Sequence, residues 1–211
     1  WNVNGGVGWD KNRWDFVALR GGPALRDSQT TNAWLGISTD ERRSLVASAS
    51  TSAFYRDEDG SWQLGAVAGL GWQLRPNLSL STSASLERRA DDRQFVAAAV
   101  DADGAPHYVL GRIDQWTSAL TLRGAWTFTP RLSLQLYAQP FVASGAYGEF
   151  KDARAPSDPD PAARYLTLDD SNLTLQDGVY VASPTGQAAF AFGRPDFNFR
   201  ELNASMVLRW E

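Results

Sequence analysis

Few residues in this chain of 211 could do covalent or metal chemistry. There is no Cys, so there is no thiolate nucleophile, no thiolate metal site and no disulfide framework. There is one His, His107, which cannot build a multi-His metal site. Acyl-transfer chemistry would need that imidazole oriented between a Ser and a carboxylate. His107 follows Pro106 at an expected hairpin tip, an exposed position poorly suited to such a triad. The acidic groups Asp57-Glu58-Asp59, Asp101/Asp103 and Asp158/Asp160 could offer oxygen ligands to Ca²⁺, but none has the spacing of a Ca²⁺-binding loop. They read as solvated turns. No catalytic residue, cofactor-binding residue or metal ligand is assigned, no cofactor is expected, and the chain is not expected to be an enzyme.

Two sets of residues remain. Arg75, Glu87, Arg123 and Arg209, with Glu201, share the parity of a polar strand face. Charges gathered there could select a charged solute, or they could form an interior ladder of charge pairs and hydrogen bonds. Trp62, Trp72, Trp116, Trp126 and Trp210 occupy the opposite parity. They read as an interfacial girdle, where an amphipathic indole sits between apolar and aqueous media. Tyr147, Phe150, Tyr165 and Tyr180 lie outside that girdle and are free to stack on a sugar ring.

Both readings depend on strands. From Trp62 to Arg75 the even positions are Trp, Leu, Ala, Ala, Leu, Trp and Leu, and the odd positions are small or polar. Such period-two alternation belongs to a strand with two different faces. It recurs from Leu78, from Gln115, from Leu132 and from Leu202, and more weakly over Trp1–Trp9 and Ser44–Arg56; Ala33–Ile37 is ambiguous. A soluble sandwich would also alternate, but its strands are usually shorter. Trp62 and Trp72 stand ten residues apart on one face, as do Trp116 and Trp126. Ten residues at about 3.3 Å on a strand tilted about 40° rise roughly 25 Å, the height of a membrane barrel's apolar band.

The expected strands are 1–17, 30–38, 44–56, 62–75, 78–100, 107–128, 132–148 and 196–210. Alternation lapses near Arg88–Arg93, so the pair flanking the 101–106 tip is expected to run past the membrane. Short links at Asp40–Arg43, Pro76–Asn77 and Pro130–Arg131 alternate with longer ones around Gly21–Pro23, at Asp101–Pro106 and over 148–195, with Asp57–Gly60 the one short link on the longer side. In outer-membrane barrels short turns face the periplasm and long loops face outward. Trp62 and Trp116 are then expected at the outer interface, and Trp72, Trp126 and Trp210 at the inner one. Net charge −4 argues against nucleic-acid binding through phosphates, and no apolar run is long enough for a transmembrane helix.

The stretches Arg20-Gly-Gly-Pro23, Gly111-Arg-Ile-Asp-Gln115, Phe128-Thr-Pro-Arg-Leu-Ser-Leu-Gln-Leu-Tyr-Ala-Gln-Pro-Phe141, Arg194-Pro-Asp-Phe-Asn-Phe-Arg200 and Val207-Leu-Arg-Trp-Glu211 carry a resemblance. It spans nearly the whole chain. They resemble the C-terminal region of a bacterial family of unknown function whose members pair an N-terminal carbohydrate-binding-module-9-like domain with a large outer-membrane barrel. The resemblance implies an incomplete barrel and supplies no catalytic residues.

The fold expected is therefore all-β: an antiparallel up-and-down transmembrane β-barrel, incomplete, with about eight strands of a larger barrel. Residues 1–211 form part of one barrel domain, with 148–195 as a long extracellular loop region. The expected location is the bacterial outer membrane, and the expected partners are the lipid bilayer and an extracellular saccharide or a surface protein. The function expected is passage or capture of an extracellular ligand such as a saccharide; the alternative is a structural or assembly barrel with a plugged lumen whose outer loops dock a partner protein.

Overall fold

The computed structural model describes residues 1–11 and 14–211. Asn12 and Arg13, inside the expected first strand, lie outside the described residues. In chain order come β1 (Asn2–Asp10), β2 (Trp14–Asp15), β3 (Leu25–Arg26), β4 (Thr30–Ser38), β5 (Leu45–Arg56), β6 (Trp62–Arg75) and β7 (Leu78–Val100). They are followed by β8 (Pro106–Thr129), β9 (Leu132–Ala153), the short helix α1 (Pro161–Arg164), β10 (Tyr165–Thr167), β11 (Leu173–Gln176), β12 (Val179–Ala182), β13 (Phe190–Gly193) and β14 (Phe197–Trp210). The protein is all-β. No helix among the described residues is long and apolar enough to cross a membrane.

Eight long strands form an antiparallel meander in the order β1-β4-β5-β6-β7-β8-β9-β14. Each pairs with the next long strand, with excursions between β1 and β4 and between β9 and β14. No ladder joins β1 to β14 among the described residues, so the sheet is open. The first strand ends at Asp10, short of the expected 17, and Trp14–Asp15 pair instead with Leu25–Arg26.

Directly paired residues lie on the same face of a sheet, so the register reads off both faces. One rung runs Val3, Ile37, Ala49, Ala68, Ala84, Leu120. Three residues further along, another rung runs Gly6, Trp34, Ser52, Gly65, Glu87, Thr117, Ala143, Phe199 across all eight strands. The even-numbered residues of β6, β7, β8, β9 and β14 thus share an apolar face. The ambiguous Ala33–Ile37 is resolved by its partners: Leu35 and Ile37 join the apolar face and Trp34 the polar one.

The apolar face is the more exposed of the two on β7. Leu86 is 54% exposed, while the flanking Ser85 and Glu87 are half-buried. That order inverts what water selects.

Above Ala90 the sheet changes character. Bulges fall between Asp91 and Gln94 and between Phe95 and Ala97 on β7, and opposite Leu110/Arg112 on β9. Beyond them β7, β8 and β9 form an extension with a core on each side. Leu19 and Leu25 cover Leu110 and Ala153 on one side. Phe150, Leu168, Ala182, Phe190 and Phe192 enclose Val109 on the other. The 148–195 region is accordingly a folded cap. It carries β10, a three-stranded sheet β11-β12-β13 and the end of β9, which runs to Ala153 rather than 148.

Candidate functional site: the two sheet faces and the cap

Trp62, Trp72, Trp116, Trp126 and Trp210 follow a rule in the register. Trp62 shares a rung with Ala90 and, through it, Asp114; Trp116 lies two residues beyond Asp114. Trp72 shares a rung with Leu80 and Gly124; Trp126 lies two residues beyond Gly124. Trp126 shares a rung with Leu134 and Leu208; Trp210 lies two residues beyond Leu208. The same step across two strands occurs three times. Two residues at about 3.3 Å against two strand spacings of about 4.8 Å incline the lines of Trp roughly 35° to the rungs.

On the polar face Glu87 lies between Gly65 and Thr117 and accepts a hydrogen bond from Gln63 Nε2 at 2.9 Å. Arg123 lies between Ser81 and Tyr137, its guanidinium 5.3 Å from the Tyr137 ring centroid. Arg209 pairs with Ser133 and Glu201 with Phe141. Arg75 follows a register shift after Gln73 and pairs with Leu78, which puts it at the turn and out of line with the polar rungs. Among the described residues none of these five forms an ion pair. The ladder is instead amide and hydroxyl: Tyr137 Oη donates to Gln139 at 2.8 Å, and Gln139 Nε2 donates to Thr121 Oγ1 at 3.2 Å.

The ion pairs gather at the cap end of the sheet. Arg56 Nη1 lies 3.2 Å from Asp59 and 3.1 Å from Asp91. Arg93 Nη2 donates to Asp27 at 2.6 Å. Arg164, buried to 2% exposure, donates from Nη1 to Glu58 at 2.7 Å and to the Arg26 carbonyl at 3.2 Å. This hub joins the 14–28 loop, the β5–β6 link, β7 and α1. Burial pushes the Asp59 carboxyl up, but its hydrogen bonds to Ser61 and the Arg56 and Arg93 charges outweigh this and hold it below its ordinary value. Asp57-Glu58-Asp59 is therefore more than a solvated turn. Asp101 does cap its turn, accepting from Ala105 N at 2.8 Å, and Asp160 caps α1 through Ala162 N at 3.0 Å.

His107 is not exposed at a tip. It is 5% exposed and stacked 3.9 Å from Phe190. Its Nδ1 is 2.8 Å from Asp152 Oδ2 and its Nε2 is 3.3 Å from Asp101 Oδ2. No serine hydroxyl is bonded to it among the described residues. It fastens the β7–β8 hairpin to β9 and the cap.

Of the four loop aromatics, Phe150 is buried in the cap core. Tyr165 has its hydroxyl buried among the cap's charges, and burial pushes its pKa up. Tyr147 and Tyr180 line a cleft of about 780 Å³ beside Lys151, which is ion-paired with Asp92. The hub and the cap cores escape sequence reading because their partners are far apart in the chain, as with Arg164 and Glu58.

A protein-family model described as "Domain of unknown function (DUF5916)" matches residues 1–173. Its description names neither a barrel nor a carbohydrate-binding module. No curated protein and no solved structure matches the chain significantly.

Proposed function

The chain belongs to the DUF5916 family, and from that premise we propose that it forms part of the wall of an outer-membrane β-barrel that passes or captures an extracellular ligand, with saccharide as the ligand class. The observation that carries this reading is the repeated two-residue step of the tryptophans. Lines inclined roughly 35° to the rungs lie level if the strands themselves tilt by that angle, and membrane barrels tilt their strands by about 35–45°. Trp62 with Trp116, and Trp72 with Trp126 and Trp210, then sit at two constant depths. The exposed apolar face between them meets lipid, and the polar face meets water. Membrane strands tolerate no open edge, so β1 and β14 are paired in the bilayer.

The polar face supports the ligand class. Its rungs carry hydroxyls, amides and glycines with Trp34 and Phe199 among them, a surface suited to a polyhydroxylated solute. Conductance of the reconstituted protein in planar bilayers, with liposome swelling in neutral sugars, tests it. Stable channels with sugar uptake are expected; an inserted protein without either removes the pore. The second reading, a plugged barrel whose outer loops dock a protein, is favoured by the two-sided core of the cap, which makes a firm platform.

A further inference from the structure

Near the Trp62–Trp116 level the apolar face carries charges that a purely hydrocarbon-facing surface would not: Arg88 on β7, Asp114 on β8 and Arg200 on β14. Arg88 lies on that face, on the rung between Leu64 and Trp116. Its guanidinium stands 5.9 Å from the Trp62 ring centroid. It is exposed and, among the described residues, has no ion-pair or hydrogen-bond partner. Arg88 also lines a groove of about 580 Å³ with Trp116. Leu64 and Ser144 lie on the Arg88 rung; toward the inner end the groove continues over Ala66 and Leu86 on the same face, and toward the outer end it reaches Asp114.

We propose that this groove binds a phosphorylated lipid of the outer leaflet, with the phosphate on Arg88 and an acyl chain along Leu64, Ala66 and Leu86. The inference rests on the reading above that this face lies in a bilayer. An arginine at the depth of an interfacial Trp row reaches the headgroup layer with its charge and leaves its stem against hydrocarbon. Its planar fork matches two phosphate oxygens, and it has no protein carboxylate to release first. The Trp62 indole lies beside the guanidinium, and Trp116 is its rung partner on β8. Asp114 makes no ion pair with Arg88 and sits at the rim nearer the aqueous side, where its carboxylate opposes an anion.

The test uses the full chain in detergent micelles, with bisphosphorylated lipid A and the same lipid after phosphate removal as probes. Native mass spectrometry reads which lipid is retained. The wild type is expected to hold the phosphorylated lipid over its dephosphorylated form. Arg88→Ala should cut that retention about fivefold, the worth of one cation at a lipid surface. Arg88→Lys should recover part of it, Asp114→Asn should raise it, and polar-face Arg123→Ala should leave it unchanged. Equal retention of both lipids, or retention untouched in Arg88→Ala, overturns the proposal while leaving the membrane reading in place. Failure of either lipid to associate, with a protein that stays dispersed once detergent is withdrawn, overturns both.

Discussion

Val109 and Leu110 are adjacent on β8, and both are fully buried, under two different cores. Further down the same strand Leu120 and Leu122 are exposed. One strand thus passes from an extension buried on both sides to a wall with one apolar face open. Truncating Val109 or Leu110 to Ala removes packing from a filled core. The loss should be about 1–4 kcal/mol, larger for Leu110. Pulse proteolysis in urea, read at the 14–28 loop for Leu110→Ala and at 165–193 for Val109→Ala, should show each core loosening separately.

The same pair shows why part of the fold was legible and part was not. Alternation appears only where the two faces meet different media, so the lower halves of β6 to β9 and β14 could be placed almost to the residue. Above Ala90 both faces are covered, and Phe95-Val-Ala-Ala-Ala-Val100 is apolar on both parities, as expected of a doubly covered strand. Periodicity marked the lapse but not its cause. Within 148–195 the sequence shows short strand-like stretches at Tyr165–Leu168, Leu173–Leu175 and Gly178–Ala182, close to β10, β11 and β12; β13 gives no such sign, since Phe190-Ala-Phe-Gly193 is too brief to carry a pattern. The tryptophan spacing is readable because it is local along each strand, whereas the two-residue step from strand to strand needs the register. His107 was misplaced because its neighbours Asp152 and Phe190 lie far along the chain.

The ionic hub should make the cap acid-labile. Asp59 is held below its ordinary carboxylate range in the folded state. A depressed carboxyl contributes stability above its unfolded pKa, and that contribution is lost as pH falls through the folded value. Cap stability should therefore be flat from neutral to mildly alkaline pH and fall in acid. Asp59→Asn should lose about 1–3 kcal/mol at neutral pH and show a weaker acid dependence than wild type. Hydrogen exchange at residues 56–61 across the pH range checks both.

Arg164 should matter more than any other single cap residue. Removing its side chain leaves Glu58 without its closest partner, frees the Asp158 and Pro159 carbonyls, and leaves the Arg26 carbonyl to Arg93 alone. Arg164→Ala should cost about 3–5 kcal/mol, the penalty of breaking a buried pair from one side. Cap unfolding followed by near-ultraviolet circular dichroism should shift strongly, while sheet content in the far ultraviolet is retained.

Gly111 lies beneath the Phe150 ring. A Cβ added there would fall 2.9 Å from Phe150 Cδ1 and 3.3 Å from Val96 Cγ2. Phe150 is enclosed by Tyr180 and Phe192, whose ring centroids are 4.8 and 5.3 Å away, so it has little room to retreat. Gly111→Ala should destabilise the cap by about 1–3 kcal/mol through overpacking. Gly71, with open space around its Cβ position, is the matched control and should accept Ala with little change.

Thr121 and Leu122 give the sharpest test of which face meets lipid. Thr121 pairs with Ser83, and Leu122 pairs with Thr82 and Ala138 on the apolar side. Both lie between the levels of Trp116 and Trp126. If the apolar face is in the bilayer, Leu122→Arg near the midplane should cost about 2–4 kcal/mol. Thr121→Arg, one residue away, should cost little, because a lumen guanidinium stays hydrated. Reversible unfolding in phospholipid bilayers measures both. Equal penalties would mean that the two faces share one solvent, and a larger penalty at Thr121 would turn the sheet inside out.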